Sequence, residues 1–364
     1  MFRFIHAADF HLDSPFRALP PRQAAARRRE SRELPRRLAD YVNQNAIDLV
    51  LLAGDLLDGA AGYRETEEAL REALAAMDAP VFIAPGNHDW YGPGSPWVGE
   101  WPPNVHIFRT DRMESAEVPA LNAVIHGAAF TGPEQHRRVL ADFSAPADGR
   151  VHIGLVHGEF GAADERYGAV SRQEAADSGL AYLALGHIHK RSAPILCGGT
   201  AVAWPGCPEG RGFDETGEKG FYLGTVHDDG RVTVEFVPFA RHRYEILTVD
   251  VTGQPPRQAV EAALPPDTDR HLYRIVLTGE TGEGGADAAG LQAALADRFY
   301  GLEVRDETRP AEEVWARAGE DSLRGLFLRN MKEKYDAAAG DEERKTVLLA
   351  VRFGLAALDR RDPG

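Results

Sequence analysis

Cysteine is almost absent: Cys197 and Cys207 are the only two in 364 residues. So few thiols argue against a disulfide framework, and with no second pair they cannot build a zinc ribbon. No apolar run approaches the ~20 residues that a membrane span needs. The start, Met1-Phe2-Arg3-Phe4-Ile5-His6, has the texture of a strand and lacks a signal-peptide plan. A cytoplasmic location, with no membrane partner, is the expectation. Positive charge is also short, with 41 Lys and Arg against 56 Asp and Glu and a formal charge of −15. That balance argues mildly against nucleic acid, although binding follows local patches rather than totals. One basic stretch runs through Arg17, Arg22, Arg27, Arg28, Arg29, Arg32, Arg36 and Arg37, interrupted only by the acids Glu30 and Glu33. It reads equally as a solvated helix face and as a contact for a phosphate backbone.

Hydrophobic content of 43% and charged content of 27% are those of a globular protein. The length suits a large domain followed by a smaller one. Five short segments then stand out: Asp9-Phe10-His11, Gly54-Asp55, Gly86-Asn87-His88-Asp89, His157-Gly158 and Gly186-His187-Ile188-His189. Each follows an apolar run that reads as a strand: Phe2–His6, Asp48–Ala53, Val81–Ala84, Val151–Val156 and Tyr182–Leu185. Open α/β sheets place their chemistry just past the carboxyl ends of strands, so the five can meet on one rim. Helices are expected over Gln23–Asn45, divided or kinked at Pro35, and over Tyr63–Met77. Short strands at Asn104–Phe108, Asn122–Gly127, Gly220–His227 and Val232–Pro238 favour a mixed sheet sandwich with helices outside.

A boundary near Phe239–Tyr244 divides the chain into residues 1–240, an α+β unit over 241–315, and terminal helices over 316–364. The second part alternates strand and helix: Ile246–Val251, Arg257–Leu264, Leu272–Thr278, Ala288–Tyr300 and Leu302–Glu307. The Gly-rich stretch Thr281–Gly290 reads as a mobile loop. Ser322–Ala338 and Glu342–Leu358 each carry one apolar face at helical spacing.

Asp9, His11, Asp55, Asn87, His157, His187 and His189 make an oxygen-and-nitrogen donor set large enough for two divalent ions. Without a thiolate, it suits Mn²⁺, Fe²⁺ or Zn²⁺. Gly54 permits the close turn that lets the Asp55 carboxylate bridge two ions. Two ions about 3.5–4 Å apart clamp a phosphate oxygen and make a water acidic enough for in-line attack on phosphorus. His88, beside Asn87 and not needed for coordination, is the candidate to assist the leaving group. Taken singly, each segment has an ordinary explanation: a turn, a chance His-x-His, an interior histidine. Five in one order, each after a strand, do not. Asp13, Asp58 and Asp89 read as loop caps or as groups orienting the histidines. Trp90, Tyr91 and Trp97 read as loop packing or as a wall of the site.

This order of segments resembles the calcineurin-like metallophosphoesterases. Within them, Ala8-Asp9-Phe10-His11-Leu12-Asp13-Ser14-Pro15-Phe16 looks like the YhaO-type branch of the SbcD-like DNA repair exonucleases. The resemblance implies a two-sheet metallophosphoesterase sandwich flanked by helices, with a small C-terminal cap that shapes DNA access. It implies a first ion on Asp9, His11, Asp55 and His189, and a second on Asp55, Asn87, His157 and His187. Mn²⁺ would be the usual metal. It further implies DNA as substrate, a coiled-coil ABC-type ATPase of the SbcC or YhaN kind as partner, and a homodimer. Some relatives place a histidine three residues after the bridging aspartate, where this chain has Asp58. A small-molecule phosphodiesterase or nucleotide pyrophosphatase on the same ions is the alternative. A Ser/Thr phosphatase fits less well, because Gly59-Ala60 stands where that family has Arg-Gly. A scaffold that merely retains the fold is disfavoured, since no ligand position is lost.

Overall fold

Apolar residues along the first strand alternate between two cores, and that alternation sets the layers. In the computed structural model, residues 1–59, 63–161, 166–282 and 285–358 are described. They form two compact units, Met1–Arg241 and His242–Gly364.

The first unit starts with β1 (Phe2–Ala7), α1 (Pro21–Arg32), α2 (Leu34–Gln44), β2 (Leu49–Leu52), α3 (Arg64–Ala75), β3 (Val81–Ile83) and β4 (Val105–Ile107). It continues through β5 (Glu114–Val118), β6 (Ala123–Ala128), β7 (Val151–His157), α4 (Arg172–Asp177), β8 (Tyr182–Gly186), β9 (Ile195–Cys197), β10 (Thr200–Ala203), β11 (Gly220–Val226) and β12 (Val232–Pro238). Two six-stranded sheets result, in the orders β12-β11-β1-β2-β3-β4 and β5-β6-β7-β8-β10-β9. Both are mixed: β1 runs parallel to β2 and antiparallel to β11, and β6 runs parallel to β7 and antiparallel to β5.

Phe4, Leu49, Leu51 and Phe82 of the first sheet meet Ile125, Ile153, Leu155 and Tyr182 of the second in the shared core. The intervening residues Ile5, Val50, Leu52 and Ile83 face outward onto Leu34, Leu38 and Val42 of α2 and Leu70 and Leu74 of α3. The period of two places both sets correctly, and each fully buried aliphatic side chain contributes roughly 1.5–3 kcal/mol. Leu183, Leu185 and Val202 cover the far face of the second sheet with Ala175 of α4 and Leu180. The helix expected over 23–45 is two helices meeting at Glu33. Pro35 sits in the first turn of α2, where its missing N–H costs nothing. The edge strands β5 and β9 were not expected. Glu114-Ser115-Ala116-Glu117-Val118 carries too little apolar surface to announce a strand.

The second unit has β13 (Tyr244–Asp250), α5 (Pro256–Ala263), β14 (Leu272–Thr278), β15 (Glu280–Thr281), α6 (Ala288–Leu295), β16 (Gly301–Asp306), β17 (Arg309–Pro310), α7 (Leu323–Ala337) and α8 (Asp341–Leu358). β13, β14 and β16 form a parallel three-stranded sheet, and β15 pairs β17. Val260, Ile275, Leu277 and Leu295 fill its core, while Leu328, Met331, Val351 and Leu355 pack α7 on α8. Of the Gly-rich stretch 281–290, residues 283–284 lie outside the described residues, as does Ala60 of the Gly59-Ala60 pair. Among the described residues no helix is long and apolar enough to cross a membrane. Both cysteines are buried and free.

Candidate metal centre

The parallel strands β1, β2 and β3 of one sheet and β7 and β8 of the other deliver their carboxyl ends to one rim. There Asp9, His11, Asp55 and His187 all take left-handed backbone conformations, with φ of 56°, 44°, 51° and 91°. Non-glycine residues rarely adopt these, and such strain concentrates at functional sites. Gly54 has φ of 82°, and a Cβ there would lie 2.7 Å from His157 Nδ1. No side chain fits beside that histidine.

Asp55 stands in the middle. Its Oδ1 accepts the His88 N–H at 2.9 Å. Its Oδ2 lies 3.3 Å from His157 Nε2 and 3.6 Å from His11 Nε2, between the two imidazoles. Asn87 Oδ1 lies 3.0 Å from His157 Nε2 and 3.1 Å from His187 Nδ1. His11 Nε2 and His189 Nε2 face each other at 3.1 Å. Asp9 Oδ1 accepts the His187 N–H at 3.0 Å, while its Oδ2 is buried without a hydrogen-bond partner. All seven expected ligands are thus brought together. Asp9, His11 and His189 group their donor atoms within 4.8 Å, as do Asp9, Asp55 and His157.

These contacts fit divalent cations better than hydrogen bonds. The Nδ1 of His11 bonds Asp58 Oδ1 at 3.1 Å, and the Nδ1 of His157 bonds the Ala53 carbonyl at 2.8 Å. Both nitrogens donate, so each Nε2 turns a lone pair toward other acceptors. A buried lone pair against a lone pair, or a buried carboxylate oxygen with no donor, costs free energy unless a cation or proton intervenes. Protons fill part of that need: burial opposes a charge on His157, but the Asp55 carboxylate overrides it and pushes the imidazole up to about 9. Burial raises Asp9, and burial aided by the neighbouring His157 brings His187 down to about 3.

Two further acids border the cluster, and one of them, Asp58, also brings its donor atom within 4.8 Å of those of His11 and His88. Asp89 is fully buried and takes four backbone N–H donors, from Gly86, Asp55, Leu56 and Leu57, at 2.8–3.3 Å. It ties the Gly86 loop to the Gly54 loop, although burial and Asp55 push its carboxyl up to about 6. Asp58 receives Nδ1 of His11 and lies 3.4 Å from Nδ1 of His88. The Asp58 contact raises His88 above the ordinary imidazole value, and its side chain is 45% exposed. His88 therefore overlooks the cluster from the solvent side, with its ring edge-on to His11 at 4.7 Å.

Sequence reasoning missed three neighbours. Glu159 lies 3.5 Å from His187 Nε2, Glu215 holds His189 Nδ1 at 2.7 Å, and Arg211 Nη2 lies 2.9 Å from that same nitrogen. No short motif marks them. Trp97 is no wall: it is 1% exposed and gives its indole N–H to the Asp89 carbonyl. Half of the arginine stretch is ion-paired within the chain, while Arg17, Arg22 and Arg29 are exposed. Arg27 is buried against Glu30 and Glu209, Arg32 pairs with Asp13 and Glu65, Arg36 with Asp40, and Arg37 with Glu209.

The calcineurin-like phosphoesterase family model matches residues 2–191, just over half of the chain and all five segments. The chain belongs to the calcineurin-like phosphoesterase family. Among this family, the chain is 35% identical over 262 residues to YhaO of Bacillus subtilis (strain 168), described as an uncharacterized metallophosphoesterase. That match covers 68% of this chain and 63% of YhaO, so the chain spans less than two thirds of that relative. It is also 25% identical over 355 residues to the DNA double-strand break repair protein Mre11 of Methanopyrus kandleri, covering 91% of this chain and 76% of that one. Among solved structures it resembles GAP50, the anchor in the inner membrane complex of Plasmodium, at a TM-score of 0.38 and 14% identity. That superposition covers 65% of this chain and 84% of GAP50. Within the calcineurin-like phosphoesterase family, this chain's rim residues are candidates to hold divalent metal ions.

Proposed function

We propose that this phosphoesterase is a metal-dependent DNA exonuclease and endonuclease that cleaves phosphodiester bonds in DNA repair. The observation that carries this reading is the joint one: a seven-residue donor cluster on the rim, in a chain that aligns over 91% of its length with a DNA double-strand break repair protein. Two divalent ions, with Mn²⁺ as the first candidate and Fe²⁺ or Zn²⁺ behind it, would supply Lewis-acid polarisation of the phosphate and an acidified water. Asp9, His11, Asp55 and His189 would hold one ion, and Asp55, Asn87, His157 and His187 the other. His88 stands outside that set, exposed and held by Asp58, where it can give a proton to the departing oxygen.

A coiled-coil ABC-type ATPase of the SbcC or YhaN kind is the proposed partner. Leu323 and Leu326 on α7 and Leu349 and Phe353 on α8 are exposed apolar side chains that such a partner would cover. The charge of −15 and the internal pairing of half the arginine stretch favour one other reading, a small-molecule phosphodiesterase or nucleotide pyrophosphatase on the same ions. The deciding experiment incubates the protein and Mn²⁺ with end-labelled duplex and single-stranded DNA, beside bis-p-nitrophenyl phosphate, with Asp55→Ala as control. DNA degradation that the variant lacks is the expected result. Turnover of the small ester alone, with and without the ATPase, would overturn the DNA assignment.

A further inference from the structure

The segment after β10, Gly206–Lys219, lies beyond the residues that the family model matches, yet it encloses His189 on two sides. The His189 carbonyl accepts from Cys207 N at 3.2 Å, from Cys207 Sγ at 3.6 Å and from Lys219 Nζ at 3.3 Å. Gly206 has φ of 74°, and a Cβ there would meet that carbonyl at 2.6 Å. The imidazole is held as closely as the backbone. Its Nδ1 lies 2.7 Å from Glu215 Oε1, and Glu215 is 5% exposed.

Arg211 secures the carboxylate. Its backbone N–H donates to Glu215 Oε2 at 2.7 Å, and its Nη2 reaches Oε1 at 2.7 Å. The segment is anchored in turn by Glu209, which takes Arg27 at 3.0 Å and Arg37 at 2.9 Å, and by the Gly210 carbonyl, which accepts from Arg27 at 3.2 Å. The arginine-rich helices therefore support the rim from behind.

His189 Nδ1 faces two groups of opposite demand: Glu215 accepts at 2.7 Å, and Arg211 Nη2 donates at 2.9 Å. The acceptor contact is shorter, and Arg211 Nη2 already has an acceptor in Glu215 itself. The proton thus sits on Nδ1, and Nε2 turns its lone pair to the cluster. A carboxylate behind a histidine in this way fixes ring and tautomer and strengthens the nitrogen as a ligand.

We infer that Glu215, clamped by Arg211, is a positioning residue that makes His189 a metal ligand through Nε2 and so controls one of the two ions. The inference rests on the two-ion reading of the rim and is independent of whether the substrate is DNA. Titration of the metal-free full chain with Mn²⁺, followed by calorimetry and electron paramagnetic resonance, tests it. In Glu215→Gln one ion is expected to bind normally and the other about 10–100-fold more weakly. Two ions of unchanged affinity in that variant would overturn the inference and leave the two-ion reading standing. Fewer than two ions in the wild type would overturn both. Should Glu215→Gln fail to fold, ¹⁵N imidazole shifts of wild-type His189 decide: protonated Nδ1 supports the inference, and protonated Nε2 overturns it.

Discussion

Strand β7 carries a histidine at each end, and the two have opposite surroundings. At its start, His152 belongs to a closed chain: Ser115 Oγ meets His126 Nδ1 at 2.8 Å, His126 Nε2 meets His152 Nδ1 at 2.8 Å, and His152 Nε2 meets Asp148 Oδ1 at 3.0 Å. The Asp148 carboxylate can only accept, so every proton in that chain has one direction and every nitrogen a partner of the right kind. Nothing is left for an ion. At its finish, His157 gives its Nδ1–H to the Ala53 carbonyl and turns Nε2 toward Asn87 and Asp55, both acceptors, so that only a proton or a cation at Nε2 closes the contact. The residue type and the strand are the same. What separates a structural histidine from a candidate ligand is whether the hydrogen-bond directions close.

That contrast can be broken at its strongest point first. Asp55→Ala removes the oxygen that lies between His11 and His157, and it is expected to abolish binding of both ions. The loss of activity should exceed the 10–100-fold typical of an outlying partner. Two retained ions would contradict the bridging role. His88→Ala should keep both ions by elemental analysis while hydrolysis falls by about 10²–10⁴-fold. A missing ion would make His88 a ligand instead.

The smallest effect belongs to the closed chain. Burial, with His152 beside it, brings His126 down to about 4, below its unfolded value of 6.5. The folded protein therefore resists a proton that the unfolded chain accepts. The stabilisation is complete above pH 6.5, is lost as pH falls toward 4, and changes no further below that. A shift of this size corresponds to a loss of at most about 3 kcal/mol. Urea unfolding of the metal-free protein at several pH values measures it, and His126→Gln should flatten the slope over this window. An unchanged slope would show that other groups carry the acid sensitivity.

The convergence of the candidate cluster was legible because its residues follow strands whose apolar runs are short and complete. Asp9, Asp55, Asn87, His157, His187 and His189 each sit within a few residues of a strand end, so local pattern and site coincide. Glu215 and Arg211 have no such tie. They reach His189 through a loop of Gly, Pro and charged residues that has no periodicity to read. Arg27 shows a different limit: in a helix face crowded with arginine, sequence cannot tell the one that is buried against Glu209 from those in solvent. The edge strand β5 was hidden by its polar composition. The helix break was legible, because Pro35 can open a helix but cannot sit in its interior.

The claim that the open hydrogen-bond directions at the rim are closed by two cations is tested most directly by counting them. Loading the wild-type chain with Mn²⁺, removing free metal and measuring manganese against protein should give two ions per chain. One ion or none would contradict it.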